Sequence, residues 1–206
     1  GTRATRREMS AWRLFGNTLL TGLTRVASGY WGMTDPQNGY TAISREALER
    51  LDIDALYDDY GFLNDVLVRL NACDARIVDV PMRAIYGDEE SGIRYSSFVP
   101  MLSVLLVRLF VWRVGTKYDA FGFHPVAVLY ALAAGVGLGG VGYAVLGAAF
   151  AAGTPRLAVA AVSLLACLLL VGVAFATERH YNRDLERDYH GDRELEVGSD
   201  QPVGNR

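Results

Sequence analysis

The polar side chains whose types and spacing could do chemistry lie in four short segments before residue 98. Carboxylates can move a proton or orient a substrate, and arginine binds anionic groups through a planar fork. Taken singly, each candidate also has an ordinary explanation, since an aspartate before proline commonly opens a turn and a helical aspartate commonly faces solvent. The candidates are Arg3 and Arg7 in a basic cluster, Asp35 and Gln37 in a turn, Asn64 and Asp65 on a predicted helix, and Arg94 in a glycine loop.

Several other kinds of site find no support in the sequence. The histidines are scattered, and neither Cys73 nor Cys167 has a histidine or cysteine neighbour at zinc spacing. No nucleophile triad and no phosphate-binding glycine loop stands out. We expect no disulfide between the cysteines, because Cys167 falls in a predicted membrane span and Cys73 does not. The net charge of −3 gives no sign of a nucleic-acid partner.

Three short helices are predicted to position the polar residues. Apolar residues recur at three- and four-residue steps from Ser10 to about Ala27, which predicts an amphipathic helix capped by Ser10. Ser44 is suitably placed to cap a second helix that runs through Arg50. A third helix is predicted over Phe62–Asn71, which carries the asparagine and aspartate of the candidate set.

Strands and loops are predicted between and after these helices. The alternating, β-branched run Ala75–Pro81 predicts a strand, and the apolar residues Tyr40–Ile43 predict a shorter one. The turn-rich segment Thr34–Tyr40 and the residues Gly87–Ser97 are predicted to be loops. The sequence therefore places its candidate residues on helices and loops rather than within strands.

Two long apolar runs late in the chain predict a membrane hairpin. The run Leu157–Thr177 contains no charged residue, and in Ala120–Pro155 the only side chain that titrates near neutral pH is His124. A bilayer core requires about 20 apolar residues in a helix. We therefore predict transmembrane helices at about 126–150 and 157–177. The alternative is a pair of buried core helices, which this chain has too little other mass to cover.

Basic residues flank both spans on the same side. The loop that connects the spans, residues 151–156, has Arg156 as its only basic residue. Because arginine and lysine are retained on the cytoplasmic side, we expect an integral protein of the cell membrane with its polar module and both termini in the cytoplasm. A transporter subunit is a weak alternative, because the predicted spans carry no buried charge and no broken helix. The flanking residues are Arg108, Arg113 and Lys117 before the first span, and Arg179, Arg183 and Arg187 after the second.

Small residues indicate how the two spans pack. Such residues let helices approach closely, so we expect packing within the hairpin. The spacing Gly135-x-x-x-Gly139 could instead form the seam of a homo-oligomer, which the sequence leaves open. The small residues are Gly135, Gly139 and Gly142 in the first span and Ala158, Ala161 and Ala166 in the second.

The segments on either side of the hairpin have their own patterns. Residues 98–119 are apolar but interrupted by Arg108 and Arg113, which predicts an interfacial amphipathic helix whose arginines reach the lipid headgroups. A core helix of the polar module is the alternative. Residues 178–206 alternate acid and base, which predicts a short extension of the second span followed by a cytoplasmic, largely disordered tail.

In their order along the chain, the polar segments resemble the second half of a family 2 glycosyltransferase. The closest group is the dolichyl-phosphate mannose and glucose synthases, whose polytopic members also have an interfacial helix and a membrane hairpin. The resemblance covers residues 1–176. Its motifs are Gly1-Thr2-Arg3, Arg6-Arg7-Glu8-Met9-Ser10 with Asn17, Asp35-Pro36-Gln37-Asn38-Gly39-Tyr40 with Ser44-Arg45-Glu46-Ala47-Leu48, Phe62-Leu63-Asn64-Asp65, Val78-Asp79-Val80-Pro81-Met82, and the loop from Gly87 to Arg94-Tyr95.

The resemblance implies a fold and a reaction. Residues 1–97 would form the C-terminal part of an α/β, GT-A-like domain, followed by the interfacial helix, the two transmembrane helices within residues 120–177, and the tail. The implied reaction transfers a hexose from a nucleotide sugar to a polyprenyl (dolichyl) phosphate with inversion. The resemblance places the family's Asp-x-Asp motif, which holds Mg²⁺ or Mn²⁺, in the first half of such an enzyme, ahead of the matched residues. We therefore expect no metal ligands here, no transfer by this chain alone, and a longer parent protein.

The resemblance also implies roles for individual residues. Because a phosphate acceptor is already anionic, positioning and charge neutralisation would dominate the reaction. The implied catalytic residues are Asp65 and Asp35, of which Asp65 is the better candidate for a base. A non-catalytic membrane-anchored interaction module and an inactive remnant of such an enzyme remain alternatives. The implied substrate-binding residues are Arg94 on the acceptor phosphate, Arg3 and Arg7 on the donor diphosphate or the acceptor, and Gln37 and Asn64.

Overall fold

The computed structural model describes residues 11–36, 39–80, 95–119, 122–150 and 155–187. The chain divides into two compact units. The first unit contains the residues up to Arg113 and those from Asn182 onward, and the second unit contains Val114–Tyr181. The described residues are mostly helical, with one parallel sheet of two short strands. They hold less sheet than an α/β domain implies, and the GT-A-like fold stays a prediction.

The three predicted helices of the first unit are confirmed. They are α1 (Ala11–Ser28), α2 (Arg45–Glu49) and α3 (Phe62–Ala72). The hydroxyl oxygen of Ser44 accepts a hydrogen bond from the Ala47 backbone N–H at 3.2 Å, as the capping prediction requires. This contact satisfies one of the backbone donors that the first turn of a helix leaves without an internal partner.

The sheet joins two segments that are far apart in sequence. Strand β1 (Ile77–Val78) pairs in parallel with β2 (Glu186–Arg187), with Ile77 opposite Glu186. β1 is shorter than its predicted strand, and Tyr40–Ile43 is not a strand. The predicted helical extension of the second span is confirmed as far as Asn182. β2 corrects the expectation of disorder immediately after it, because the pairing partner of these residues could not be recognised from local composition.

A cluster of buried apolar side chains holds α1 and α3 against α4 (Tyr95–Lys117). The contributing residues of α4 recur at four- and three-residue steps, so they lie on one face of the helix. A second buried cluster lies around the segment that follows α1. The first cluster consists of Leu20, Ala27, Val68, Leu102, Leu106 and Leu109, and the second of Tyr30, Met33, Leu51 and Leu70.

The helix α4 is apolar on two faces rather than amphipathic. One face lies in the core of the first unit, which is the arrangement of the core-helix alternative, whereas Met101, Val104 and Val107 are exposed. The expectation that Arg113 reaches lipid headgroups is wrong, because this residue is 0 % exposed and its guanidinium is bonded within the unit. Arg108 is exposed, and its contact with headgroups stays a prediction.

The second unit is built on α5 (Pro125–Phe150) and α6 (Pro155–Asn182), of which Asn182 belongs to the first unit. The two helices approach each other at Gly140, where an added Cβ would lie 2.3 Å from the Ser163 Cβ. At Gly137 an added Cβ would lie 3.0 Å from the Cys167 Sγ. Small residues therefore do mediate the close packing of α5 on α6, as general experience with membrane helices suggests.

The glycines chosen from the sequence are not the ones that make this contact. An added Cβ at Gly135, Gly139 or Gly142 would meet nothing within 4 Å. The expectation that these three pack within the hairpin is therefore wrong. Residues at i and i+3 share a helix face, so Gly137 and Gly140 face α6 together while Gly135 and Gly139 point elsewhere. A seam between copies of the chain at Gly135 and Gly139 stays a prediction.

Three helices among the described residues are long and apolar enough to cross a membrane. They are Phe98–Lys117, Pro125–Leu146 and Leu157–Leu185. Two of them correspond to the predicted spans, and the third corresponds to the predicted interfacial helix. By length and composition the chain is therefore compatible with a membrane protein.

Candidate functional site

The candidate site is built around the segment Gly29–Thr34, which leads from the end of α1 to the turn that begins at Asp35. α1 ends because Gly29 adopts a left-handed backbone conformation with φ of +74°. The Gly29 N–H donates to the carbonyl of Arg25 at 2.9 Å, which closes the last turn of the helix. Glycine is the residue that takes this conformation without strain, so it commonly ends a helix in this way.

Arg113 binds the backbone carbonyls at the buried C-terminal end of α1. Its Nε donates to the Ala27 carbonyl at 2.7 Å, and Nη2 donates to the Val26 carbonyl at 3.1 Å. Its Nη1 donates to the Asn71 Oδ1 of α3 at 3.3 Å. A cation at the C-terminal end of a helix interacts favourably with the helix dipole and satisfies carbonyls that have no partner inside the helix. One buried guanidinium thus ties α1, α3 and α4 together.

Side chains from two other parts of the first unit, the segment 182–187 and α1, fix Gly29 and the residues that follow it. The Asn182 amide nitrogen donates to the Gly29 carbonyl at 3.1 Å. The Glu186 carboxylate accepts from the Gly32 N–H at 2.7 Å. The Arg25 Nε donates to the Met33 carbonyl at 2.7 Å. This segment has no regular secondary structure, so these contacts take the place of the ladder bonds that a helix or strand would supply.

Tyr30 adds an internal anchor to the same segment. Its ring is 0 % exposed, and its hydroxyl donates to the Ala75 carbonyl at 2.6 Å. Burial raises the pKa of the Tyr30 hydroxyl well above its ordinary value, and the negative charge of Glu186 acts in the same direction. The hydroxyl therefore keeps its proton at neutral pH and remains a hydrogen-bond donor.

The segment ends at a contact between two of the motifs identified in the sequence. The Thr34 backbone N–H and hydroxyl both donate to the Asp79 Oδ2, at 2.7 Å and 2.5 Å. Asp79 follows β1, and Thr34 precedes the turn that contains Asp35. The structure thus brings the Asp35 turn to the end of β1. Asp35 itself is exposed.

Asn64 and Asp65 lie elsewhere, on the first turn of α3, and both are buried. The Asn64 Oδ1 accepts from the Thr24 hydroxyl at 2.7 Å, which connects α3 to α1. Asp65 is 1 % exposed, although an aspartate on a helix commonly faces solvent. The two neighbours Asn64 and Asp65 thus link α3 to other parts of the unit.

Both carboxylate oxygens of Asp65 have partners in the structure. Oδ2 accepts from the Tyr57 N–H at 2.8 Å, and Oδ1 accepts from the Arg69 Nε at 2.8 Å. Arg69 in turn donates to the Ala55 carbonyl at 2.6 Å and lies 4.9 Å over the Trp112 ring. A buried ion pair of this kind orders the chain around it. These contacts do not favour the role of a base, which stays a prediction.

The remaining predicted site residues lie outside the described part of the chain. They are Arg3, Arg7, Gln37 and Arg94. The structure therefore describes three of the candidates, of which Asn64 and Asp65 are adjacent and buried and Asp35 is exposed on a different segment. The Mg²⁺ or Mn²⁺ ligands were expected outside this sequence, and that expectation stays a prediction. Within the described ranges there is no group of three or more His, Cys, Asp or Glu side chains that could hold a metal ion.

A second buried polar cluster lies in the second unit. The Glu178 carboxylate of α6 is 0 % exposed and accepts from the Tyr130 hydroxyl of α5 at 2.5 Å and from the Tyr118 hydroxyl at 3.3 Å. The ring of His124 lies between those of Tyr118 and Tyr181, with centroids 4.8 Å from each. Hydrogen bonds to a carboxylate are stronger than those between neutral groups, so this cluster pins α6 to α5.

Glu178 corrects the sequence-based statement that the apolar helices carry no buried charge. The predicted span ends at Thr177, one residue before it, whereas the candidate span in the structure continues to Leu185. A buried ionisable residue in such a helix commonly has a function. Here the two tyrosine hydroxyls give it a packing role, and the structure offers no further support for a transporter.

We predict that Glu178→Leu lowers the free energy of unfolding by about 1–3 kcal/mol, because the hydroxyls of the buried Tyr118 and the half-buried Tyr130 lose this acceptor. The measurement is thermal unfolding of the full chain in detergent. The matched control removes the hydroxyls as well, with Tyr118→Phe and Tyr130→Phe in the same chain. This triple variant should recover most of the lost stability, since replacing all partners by apolar groups is nearly neutral. Equal stability of wild type and Glu178→Leu would contradict the assignment.

Sequence reasoning missed the residues that organise the candidate site in the first unit and the polar cluster in the second unit. These residues share one signal, which is a charged or amide side chain at the end of an apolar helix or just beyond it, where solvation or a specific partner is required. That signal locates such residues but does not identify their partners. The missed residues are Asn71, Arg113, Glu178, Asn182 and Glu186.

Comparison with known proteins yields no matching family model, no similar curated protein and no similar solved structure.

Proposed function

We propose that this chain is the acceptor-side part of a membrane-bound glycosyltransferase that transfers a hexose from a nucleotide sugar to a polyprenyl phosphate. The acceptor phosphate oxygen attacks the anomeric carbon, the bond from that carbon to the nucleoside diphosphate breaks, and the configuration inverts. The nucleotide-binding part and the divalent metal belong to the portion of the enzyme that this chain lacks. The described residues contain no group of three or more His, Cys, Asp or Glu side chains that could hold this metal ion.

The observation that most supports this proposal is the contact between the Thr34–Asp35 turn and Asp79. Asp79 belongs to one of the motifs on which the resemblance to family 2 glycosyltransferases rests, and Thr34 directly precedes another, 45 residues away in sequence. The two hydrogen bonds from Thr34 to one carboxylate oxygen fix the turn at the end of β1. An exposed aspartate on a turn that is fixed in this way is suited to orient a sugar or an acceptor.

The arrangement of helices suits an acceptor that lies in a bilayer. The chain leaves the first unit at Arg113 and returns to it at Asn182, and two long apolar helices lie between these points. α5 and α6 supply two crossings. α4 is a poor third crossing, because its Leu102 and Leu106 belong to the core of the first unit. Its exposed apolar face, with Val104 and Val107, would instead rest on the membrane surface.

The proposed roles follow from exposure and charge. Asp35 is the accessible carboxylate among the described candidates, and it would orient the sugar or the acceptor. Arg94 would bind the acceptor phosphate through its guanidinium fork. Asp65 is better explained as a residue that holds the segment before α3 against the helix, directly at the Tyr57 N–H and through Arg69 at the Ala55 carbonyl. The substrate-binding roles of Arg3, Arg7, Gln37 and Asn64 are retained as part of the proposal.

We expect Asp35→Asn to lower the rate of sugar transfer by about 100-fold, which is the loss typical of a disturbed positioning group. Arg94→Ala should abolish transfer while the protein remains folded. The assay measures radiolabelled sugar passing from UDP-glucose or GDP-mannose to dolichyl phosphate in membranes that contain the full-length parent protein. The matched control is Asp58→Asn, an exposed aspartate that belongs to none of the motifs. Wild-type turnover in Asp35→Asn and Arg94→Ala would remove both residues from the site.

A second candidate function is a membrane-anchored interaction module without catalysis. The occupied carboxylate of Asp65 favours it, and so does a set of exposed apolar side chains on the first unit that a partner could cover. A lack of sugar transfer by the parent protein from either UDP-glucose or GDP-mannose, despite correct membrane insertion, would move the assignment to this candidate. The exposed residues are Ile43, Leu48, Ile53 and Phe62, whose exposures lie between 41 % and 56 %.

A further inference from the structure

We propose that residues Asn182–Arg187, which follow the second apolar helix, form a strap that positions the Gly29–Asp35 segment for the transfer reaction. Asn182 and Glu186 are its positioning residues. The inference that the strap holds this segment stands on the contacts within the first unit. The further statement that this matters for transfer rests on the proposed function.

The strap makes three kinds of contact with the first unit. Its β2 strand pairs with β1, its Asn182 amide bonds the Gly29 carbonyl, and its Glu186 carboxylate bonds the Gly32 N–H. Leu185 packs beside the buried cluster that contains Tyr30 and Met33. Backbone pairing, polar contacts and apolar packing therefore all act on one stretch of six residues.

The strap also reaches the two motifs that meet at the candidate site. β1, to which the strap is paired, leads directly to Asp79. The Gly32 amide that Glu186 binds lies two residues before Thr34, which is the partner of Asp79. The strap therefore holds both sides of the Thr34–Asp79 contact, one through β1 and the other through Gly32.

The strap lies late in the chain, at the end of α6 and just beyond it. Asn182, which bonds the Gly29 carbonyl, is the last residue of α6, and Glu186, which bonds the Gly32 N–H, follows this helix. The contact set around the Asp35 turn is therefore completed only after α5 and α6 have been made. A transferase with this design would acquire its acceptor-side geometry late, once its membrane hairpin is in place.

The test is Glu186→Ala in the full-length protein in lipid nanodiscs, with two independent measurements. The first is hydrogen exchange at the Gly32 amide, which should become at least tenfold faster because its acceptor is lost. The second is steady-state transfer, in which we expect kcat/KM for dolichyl phosphate to fall at least tenfold while KM for the nucleotide sugar is unchanged. Glu186→Gln keeps an oxygen acceptor and should largely restore both measurements.

The matched control is Asp184→Ala, since the Asp184 side chain is 91 % exposed and lies two residues earlier in the same strap. Its exchange and kinetics should equal those of the wild type. Exchange at the buried Val68 of α3 serves as the check on folding and should not change in any variant.

The outcomes separate the two proposals. Unchanged exchange at Gly32 in Glu186→Ala overturns the strap. Faster exchange with unchanged kinetics overturns its positioning role but leaves the proposed function standing. An absence of transfer in the wild type, together with faster Gly32 exchange in the variant, overturns the proposed function and the positioning role while the contact itself stands.

Discussion

Replacing Arg113 with alanine is expected to lower the free energy of unfolding by about 3–5 kcal/mol, the largest effect we predict for a single side chain. The substitution leaves the carbonyls of Val26 and Ala27 and the side chain of Asn71 without the guanidinium that they bind. It also removes a large side chain that is 0 % exposed, so a cavity remains between α1, α3 and α4. Chemical unfolding of the full chain in detergent, followed by tryptophan fluorescence, measures the loss.

Arg108→Ala is the matched control for this substitution. Arg108 lies on the same helix and is exposed, so its removal should change the free energy of unfolding by less than about 0.5 kcal/mol. If both arginines reached the lipid headgroups, as the sequence predicts, the two substitutions would have similar effects on the free energy of unfolding. Equal effects of Arg113→Ala and Arg108→Ala would therefore contradict the buried position of Arg113.

Replacing Gly29 with alanine is expected to cost about 2–4 kcal/mol for two separate reasons. The φ of +74° is unfavourable for any residue with a Cβ. In addition, an added Cβ would lie 2.6 Å from the Arg113 Nη1 and 2.8 Å from the Asn182 Nδ2. Both side chains are engaged in hydrogen bonds, so they cannot move away without losing them. Thermal unfolding of the full chain in detergent is the measurement.

The matched control is Gly22→Ala in the middle of α1, where an added Cβ would meet nothing within 4 Å. That substitution should stabilise the protein by about 0.5–1 kcal/mol, because alanine has the higher helix propensity. The glycine in the middle of α1 and the glycine that follows the helix are thus expected to respond with opposite signs. A stabilising or neutral Gly29→Ala would show that the contact between α1, Arg113 and Asn182 is not formed.

The Gly29 and Arg113 substitutions should also be coupled. The nearest atom to an added Cβ at Gly29 belongs to Arg113, so part of the clash disappears when the guanidinium is absent. The loss for the double variant should therefore be smaller than the two single losses combined. Simple additivity would indicate that the two residues act on separate parts of the unit.

The elements of this protein were largely predictable because their signals are local. Helix α1 follows from apolar periodicity, and α2 follows from a capping serine three residues before the amide that it binds. The two long apolar helices follow from runs of residues that lack charge. Each of these signals is contained in a window of one helix or less, and it does not depend on which other element lies nearby.

The candidate site was predictable only in part. Asp35 was identified on a turn, and the structure shows that it is exposed there. Asp65 was identified as well, but its burial and its partners Tyr57 and Arg69 are properties of the folded unit. The sequence can indicate that a carboxylate is present and roughly which element carries it. Whether that carboxylate faces a substrate or holds a loop in place depends on atoms from other segments.

The sequence by itself determined the helices, the Ser44 cap and the apolar runs, since short-range periodicity, capping and hydropathy depend on neighbouring residues. The tertiary structure decided that Arg113 is buried rather than exposed to headgroups, that Gly137 and Gly140 rather than Gly135 and Gly139 contact α6, and that residues 186–187 form a strand. Each of these outcomes depends on a contact with residues of another element. Those residues are far away along the chain, so a local sequence pattern cannot identify them.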